Sequence, residues 1–181
     1  MSTGPIEGVV VIDLEERRDD RGSFVELFRD GWFAGSHSMM QANLSFSRAG
    51  VLRGMHYHHH QADYWCVLEG VASVGLYDLR PGSPTREAVA SLTFDAGLGL
   101  RGLYIPAGVA HGFAAVSDVR LQYLVDAEFT GVDEHGFKWD DPDLGIVWPI
   151  DRPIVSDRDR ANPSLAEALA DAPPFVAHTQ R

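Results

Sequence analysis

Residues 50–70 read GVLRGMHYHHHQADYWCVLEG, and the rest of the chain is organised around this stretch. It holds four of the protein's eight histidines, which are His56, His58, His59 and His60. Many of its other residues favour β-strands, and Gly70 stands where a hairpin would turn. Because a small globular domain has no structural need for so many neighbouring histidines, we expect these strands to carry a functional site.

Glycine and proline punctuate the whole chain, with 18 glycines and 10 prolines in 181 residues. The segments between them are short and rich in Val, Leu, Phe and Tyr, which is typical of an all-β sandwich or barrel. The predicted strands are Gly8–Leu14, Ser23–Phe28, Met39–Ser47, Leu52–Tyr57, Tyr64–Leu79, Glu87–Phe94, Gly102–Ile105, Gly112–Val116 and Arg120–Ala127.

Two segments have helical character. Arg29–Gly35 predicts one or two turns, and Pro163–Asp171 predicts a helix with Asn162 as its cap. We expect one domain over residues 1–181, with a core at about 8–163 and a C-terminal helix and tail at 164–181.

Charge and cysteine content narrow the classes of partner. Fifteen basic against 26 acidic residues give a formal net charge of −11, which argues against nucleic acid or a membrane surface. A phosphorylated small ligand stays compatible, because a few arginines can form a local cationic pocket. The single cysteine, Cys66, excludes an internal disulfide and suits a reducing compartment. With no signal peptide in the sequence, we expect a cytoplasmic protein.

The histidine stretch has the spacing of a metal site. His56 and His58 alternate on a predicted strand, so both imidazoles should point to one face. Asp63 follows after a short loop, and His111 comes just after a Pro/Gly turn. The pattern resembles the two motifs of the cupin family, although Asp63 replaces the usual Glu. These four residues would suit a divalent transition metal, and the alternative is a barrel whose histidines contact a substrate.

Seven blocks of sequence support a second and more extensive resemblance. They are Asp20-Arg21-Gly22, Gln41-x-Asn43-x-Ser45, GVLRGMHY, DLRPGSPT, IPAGVAHGF, WDDPDLGIVWP and VSDRDRANP. In this order, from about residue 20 to 163, they resemble the dTDP-4-dehydrorhamnose 3,5-epimerase family.

That resemblance implies both a fold and a reaction. The fold is a cupin-type antiparallel β-sandwich, or jelly-roll barrel. The reaction is epimerisation of a dTDP-linked 4-keto-6-deoxyhexose at C3, C5 or both, in deoxysugar biosynthesis. The protons removed lie next to the C4 ketone, so the enzyme needs a base, a way to hold the enolate, and an acid. The resemblance also implies no cofactor, and a homodimer, since the family exchanges N-terminal strands between subunits.

The resemblance further assigns roles to matching residues. His56 matches the base, Asp159 the carboxylate that orients it, and Tyr123 the acid. Arg53 and His111 border the sugar. The other substrate-binding predictions are Arg21, Glu26, Gln41 and Asn43, for the nucleotide and its phosphates, and Arg158.

The chain departs from the family at the ketone oxygen. The family normally has a lysine in a Gln-x-Lys block, and here that block is Gln61-Ala62-Asp63. A carboxylate would repel the enolate that an ammonium stabilises. Two repairs are compatible with the sequence: a protonated His58 that donates to the oxygen, or a metal held by His56, His58, Asp63 and His111. A non-catalytic module that keeps the nucleotide pocket is the remaining alternative.

Overall fold

The computed structural model describes residues 2–33 and 38–176. Its thirteen strands are β1 (Ser2–Thr3), β2 (Val10–Asp13), β3 (Glu16–Asp19), β4 (Gly22–Val25), β5 (Gln41–Ser47), β6 (Leu52–Tyr57), β7 (Asp63–Glu69), β8 (Val71–Asp78), β9 (Val89–Asp95), β10 (Arg101–Ile105), β11 (Val109–Ala115), β12 (Val119–Val125) and β13 (His135–Gly136). Two short helices follow, α1 (Asp157–Ala161) and α2 (Leu165–Asp171).

The strands form two large antiparallel sheets and one separate hairpin. The six-stranded sheet has the order β1-β2-β10-β7-β12-β5, and the five-stranded sheet has the order β13-β6-β11-β8-β9. Among the described residues, strands β3 and β4 pair only with each other. The architecture confirms the predicted all-β, cupin-type sandwich.

One apolar core lies between the two sheets, because inward side chains of both sheets belong to the same cluster. Trp65, Val67 and Leu121 come from the six-stranded sheet, and Val74 and Phe113 come from the five-stranded sheet. Sheet-on-sheet packing of this kind requires alternation of inward and outward residues. The histidine stretch therefore contributes a strand to each layer, β6 to one and β7 to the other.

The hairpin at Gly70 shows why the long predicted strand Tyr64–Leu79 divides into β7 and β8. Gly70 has φ of 82°, in the left-handed region. A Cβ there would also collide with the backbone oxygen of Asp118. Only glycine suits both the conformation and the close approach, so the turn is fixed at this residue.

The C-terminal segment holds two helices rather than the one predicted. Ser164, not Asn162, caps α2: its hydroxyl accepts from the Glu167 amide, and the Glu167 side chain reaches back to Ser164. Helix α1 was not among the predicted elements; Ser156 caps it and its Asp159 is buried. Of the predicted turn Arg29–Gly35, the structure shows a 3-10 helix at Asp30–Trp32, and residues 34 and 35 lie outside the described residues.

The segment WDDPDLGIVWP packs on the outer face of the five-stranded sheet. Ile146 and Trp148 sit so close to Gly75 that a Cβ there would contact both. The Trp148 indole donates to the backbone oxygen of Trp139 at 3.0 Å. Both tryptophans are therefore packing residues. Within the described part of the chain, no helix is long and apolar enough to cross a membrane.

Candidate active site

A cavity of about 320 Å³ opens between the two sheets, at the end where the histidine stretch crosses from one sheet to the other. Strands β5, β7 and β12 line one wall, and β6 and β11 line the opposite wall. The lining residues are Asn43, Ser45, Arg53, His56, His58, Gln61, Asp63, Trp65, His111, Phe113, Leu121, Tyr123, Val125, Phe129, Glu134 and Arg158. Eight of them belong to the predicted sites.

A histidine–carboxylate pair stands on one wall of this cavity. His56 Nε2 lies 2.7 Å from Asp159 Oδ1, and the second Asp159 oxygen accepts from the Gly54 amide at 3.4 Å. Burial alone would raise the pKa of Asp159, but its hydrogen bonds, the one to His56 first, hold that pKa below the ordinary value. The carboxylate is therefore ionised at neutral pH and fixes the proton of the neutral imidazole on Nε2, which leaves Nδ1 free to accept one.

Close packing around this pair explains why the strand reads Arg-Gly-Met-His. A Cβ on Gly54 would lie 2.6 Å from the Gly112 Cα, inside any normal contact. Strands β6 and β11 thus approach each other here, where His111 is the register partner of His56. Glycine at position 54 therefore lets β6 lie close to β11.

Tyr123 lines the facing wall, from the middle of β12. Burial, reinforced by the charges of Asp63 and Glu134, raises the pKa of its phenol. The hydroxyl is therefore protonated at neutral pH and able to donate. A base and an acid on opposite walls of one cavity can remove a proton from a carbon acid and return one to its other side.

Asp63, at the expected lysine position, lies buried at the inner end of the cavity. Its two oxygens accept from Gln61 Nε2 at 2.8 Å and from Trp65 Nε1 at 3.0 Å. Two imidazole nitrogens face the same carboxylate, His58 Nε2 at 3.9 Å and His111 Nε2 at 3.8 Å. Burial lowers the pKa of His111 to about 4, so this ring is neutral at physiological pH.

Three of the four predicted metal ligands come together, and the fourth does not. The ligand atoms of His58, Asp63 and His111 all lie within 4.8 Å of one another. His56 belongs to a different unit, because its Nε2 is committed to Asp159. His56 was predicted both as a base and as a metal ligand, and its contact with Asp159 separates it from the other three candidate ligands.

The remaining predicted residues include polar side chains at the mouth of the cavity, and they differ in whether they line it. Arg53 is held on β6 by the Ser47 hydroxyl at 2.9 Å, and Arg158 pairs with Glu134 at 3.3 Å. Asn43 lines the cavity, whereas Gln41 acts behind it by donating to the Asn43 oxygen at 2.9 Å.

Arg21 and Glu26 lie outside the cavity. Arg21 sits in the turn of the β3–β4 hairpin and pairs with Asp19 at 2.6 Å. Glu26 pairs with Arg29 at 2.9 Å in a separate groove near the same hairpin. Neither the Arg21 nor the Glu26 side chain lines the cavity of the same chain, although both were predicted to bind the nucleotide.

The cavity residues without a predicted role include Gln61, Trp65 and Glu134. Gln61 and Trp65 lie two residues before and two residues after the substituted position 63. The signal in the sequence was therefore a hydrogen-bond donor on each side of Asp63. Glu134 lies in a loop that carries no periodic pattern. Its place in the site comes from tertiary structure alone.

Comparison with known proteins places this geometry among sugar-nucleotide enzymes. The family model described as dTDP-4-dehydrorhamnose 3,5-epimerase matches residues 3–167. A dTDP-4-dehydrorhamnose 3,5-epimerase of Streptomyces griseus is 36% identical over 171 residues, covering 90% of this chain and 84% of the relative. A dTDP-4-dehydrorhamnose 3-epimerase of Streptomyces niveus is 38% identical, covering 90% and 82%.

Solved structures agree with the sequence relatives. A 4-keto-6-deoxy sugar epimerase from the novobiocin biosynthetic gene cluster of Streptomyces spheroides superimposes with a TM-score of 0.88 at 35% identity, covering 98% of this chain and 94% of that one. A 3'-monoepimerase from Streptomyces bikiniensis, in complex with dTDP-quinovose, gives 0.87 at 34% identity, covering 96% and 93%.

Proposed function

Since the chain belongs to the dTDP-4-dehydrorhamnose 3,5-epimerase family, whose members are isomerases of dTDP-sugars, we propose that it epimerises a dTDP-linked 4-keto-6-deoxyhexose. One observation carries the proposal: a buried carboxylate orients His56 on one wall of the cavity, and Tyr123 faces it from the other wall. Deoxysugar biosynthesis is the context in which such a substrate arises, and the relatives include both double and single epimerases.

The reaction follows from the acidity of carbon next to a ketone. His56 Nδ1 removes the proton at C3 or C5, and the electron pair moves through the new C=C bond onto the C4 oxygen. Asp159 stabilises the imidazolium that forms, as a buried carboxylate does for a general-base histidine. Tyr123 then returns a proton to the opposite face of the carbon, which inverts it. Base, orienting carboxylate and acid are all side chains of the protein, so the proton transfers themselves need no cofactor.

Substrate binding uses the polar mouth of the cavity. Arg53 and Arg158 supply positive charge that suits the diphosphate, and Asn43 offers an amide to the nucleotide. His111 borders the sugar at the inner end.

A homodimer would explain the position of Arg21 and Glu26. Strand β5 is an edge of its sheet within the described residues, and it exposes Leu44 at 61% and Phe46 at 51%. An exposed apolar edge strand favours pairing with a second chain. We therefore expect each subunit's β3–β4 hairpin to reach the cavity of the other. A mass near 40 kDa by light scattering, twice the 19.9 kDa of the chain, would support this, and a monomer at micromolar concentration would contradict it. The buried Cys66 thiol fits a cytoplasmic location.

The deciding experiment is solvent exchange. The enzyme in D2O should introduce deuterium at C3, C5 or both of dTDP-4-keto-6-deoxyglucose, followed by NMR. The His56→Asn variant should lose the exchange, and His60→Asn, an exposed neighbour in the same histidine run, should keep it. Absence of exchange with every dTDP-4-keto-6-deoxyhexose tried would refute the proposed reaction and favour a module that only binds.

A further inference from the structure

Three hydrogen-bond acceptors converge at the inner end of the cavity. They are Nε2 of His58, Nε2 of His111 and the carboxylate of Asp63, all within 4.8 Å of one another. All three residues are at least 95% buried: His58 is 5% exposed, and His111 and Asp63 are each 4% exposed. Lone pairs that face one another across a largely buried space are stabilised when a cation or a hydrogen-bond donor lies between them.

The hydrogen bonds of the two rings fix which nitrogen faces the centre. His58 Nδ1 meets the backbone oxygen of Asp133, and His111 Nδ1 meets that of Val109 at 3.0 Å. A carbonyl oxygen only accepts, so Nδ1 carries the proton in both rings. A ring that carries its single proton on Nδ1 presents the Nε2 lone pair to Asp63. Orientation by a backbone carbonyl through the far ring nitrogen is typical of histidines that bind metals.

The carboxylate has the matching outer contacts. Gln61 and Trp65 each donate to one Asp63 oxygen, so the carboxylate is held in one orientation. Each oxygen keeps a further lone pair for another partner. Both histidines face it, His58 towards Oδ1 and His111 towards Oδ2.

The three side chains come from elements of both sheets, which makes the arrangement rigid. Asp63 begins β7 and pairs with Ile105 and Val125, while His111 lies in β11 and His58 directly follows β6. Ligand atoms about 2.1 Å from a metal stand roughly 3.0–3.4 Å apart at octahedral or tetrahedral angles. The observed separations of 3.8 and 3.9 Å, each to a different oxygen of Asp63, exceed that range, so the side chains would move inward on binding a metal.

From this geometry we propose that His58, Asp63 and His111 bind a divalent first-row transition metal. Two imidazoles and one carboxylate suit iron, zinc, nickel or manganese and leave coordination positions open. The open side faces the cavity that also holds His56 and Tyr123. The role of the metal rests on the proposed function: a cation there would take the charge that enolate formation places on the C4 oxygen, at the position where the family normally has a lysine.

Metal binding can be tested without any substrate. The untagged protein, stripped with a chelator, should bind one Co²⁺ per chain with visible absorption bands of nitrogen and oxygen ligation, and Zn²⁺ should displace it. His58→Gln and Asp63→Asn should each weaken Zn²⁺ binding by roughly 100-fold or more, since even outer-shell changes at metal sites cost about 10–100-fold. Zn²⁺ should raise the melting temperature of the wild type and leave that of these variants unchanged. A cooperative melting transition of each variant shows that it folds.

The matched control is a second histidine cluster on the same protein. His59, Asp133 and His135 also place ligand atoms within 4.8 Å of one another, but they are more exposed. His135→Ala should leave the Co²⁺ spectrum and the stoichiometry unchanged. Binding that His135→Ala abolishes, or that survives both His58→Gln and Asp63→Asn, would overturn the proposed site.

A catalytic assay distinguishes the proposed role of the metal from the proposed epimerase reaction. Stripping should slow deuterium exchange by about 10²–10³-fold, the usual cost of losing an oxyanion partner, and added metal should restore it. Exchange at the full rate in metal-free enzyme overturns the metal's role and leaves the epimerase proposal intact. Tight metal binding without exchange on any dTDP-4-keto-6-deoxyhexose overturns the epimerase proposal and leaves the site intact.

Discussion

Replacing Asp159 by Asn removes the charge behind the proposed base and changes little else. The carboxylate accepts from His56 at 2.7 Å and from the Gly54 amide at 3.4 Å. An Asn of the same shape can still accept from His56, but its NH2 group then faces the Gly54 N–H. We expect a modest loss of stability, about 1–2 kcal/mol, from that mismatch.

The larger effect falls on the reaction. When His56 takes the substrate proton it becomes an imidazolium whose charge centre lies about 4 Å from the carboxylate. At an effective dielectric constant of about 20, such a pair interacts by about 4 kcal/mol. Each ~1.4 kcal/mol of barrier changes a rate tenfold, so losing most of this interaction should slow proton removal about 10²–10³-fold.

The measurement is the rate of deuterium incorporation from D2O into dTDP-4-keto-6-deoxyglucose at saturating substrate. Asp157→Asn provides the matched control, because Asp157 lies on the same helix turn with a fully exposed carboxylate paired to Arg160. Asp157→Asn should exchange at the wild-type rate. Exchange by Asp159→Asn within threefold of wild type, in protein that melts as a folded chain, would refute the assignment of Asp159 as the charge partner of the base.

Three further predictions test the acid and the framework. Tyr123→Phe should keep substrate binding but reduce net epimerisation about 10²-fold or more, while deuterium washout at the carbon persists, because removal and return of the proton use different groups. Gly54→Ala should destabilise the fold by about 1–3 kcal/mol in chemical denaturation, since its Cβ would meet Gly112 at 2.6 Å. Asp78→Asn should cost about 3–5 kcal/mol, because it leaves the buried Arg80 guanidinium, now 2.7 Å from the carboxylate, without its counter-charge. Burial would raise the pKa of Asp78, but its hydrogen bonds, led by the one from Arg80, hold that pKa below the ordinary value. The stabilisation is therefore present above about pH 4 and is lost as the pH falls through the depressed folded-state pKa. Thermal unfolding measured between pH 7 and 3 should show this loss in the wild type and not in the variant.

The strand pattern was predictable where a strand is apolar on at least one face. The prediction Leu52–Tyr57 matches β6 in both bounds, and most other strands agree within a few residues. Strand β3 was missed because its sequence, Glu-Arg-Arg-Asp, is charged throughout and every residue is exposed. Without a buried face, neither periodicity nor propensity marks a strand, and only pairing with β4 defines it.

Helix α1 shows a different limit of the sequence. The run Asp157-Arg158-Asp159-Arg160 is typical of a solvated loop, yet Asp159 is only 3% exposed. Its burial depends on His56, which lies 103 positions away in the chain. A contact at that separation has no local signal, so the family resemblance was needed to predict it.

The charge balance of the cavity links the remaining departures from the family. Its lining holds two arginines, Arg53 and Arg158, and two carboxylates, Asp63 and Glu134. These four charges sum to zero, yet the proposed substrate brings a diphosphate and the reaction adds an enolate charge. A lysine at position 63 would have made the sum +2, so the aspartate removes two units of positive charge from the inner end.

Positive charge must therefore come from outside the lining side chains. At the mouth, the partner hairpin of a homodimer would supply the arginine of the β3–β4 turn to the phosphates. At the inner end, a divalent cation on His58, Asp63 and His111 would restore the two units that the aspartate removes. The two contributions differ in their response to solution conditions: chelation should affect turnover and spare nucleotide binding, whereas Arg21→Ala should weaken dTDP binding and spare metal binding. If a chelator also weakened dTDP binding, the proposed division of positive charge between the two ends of the cavity would be contradicted.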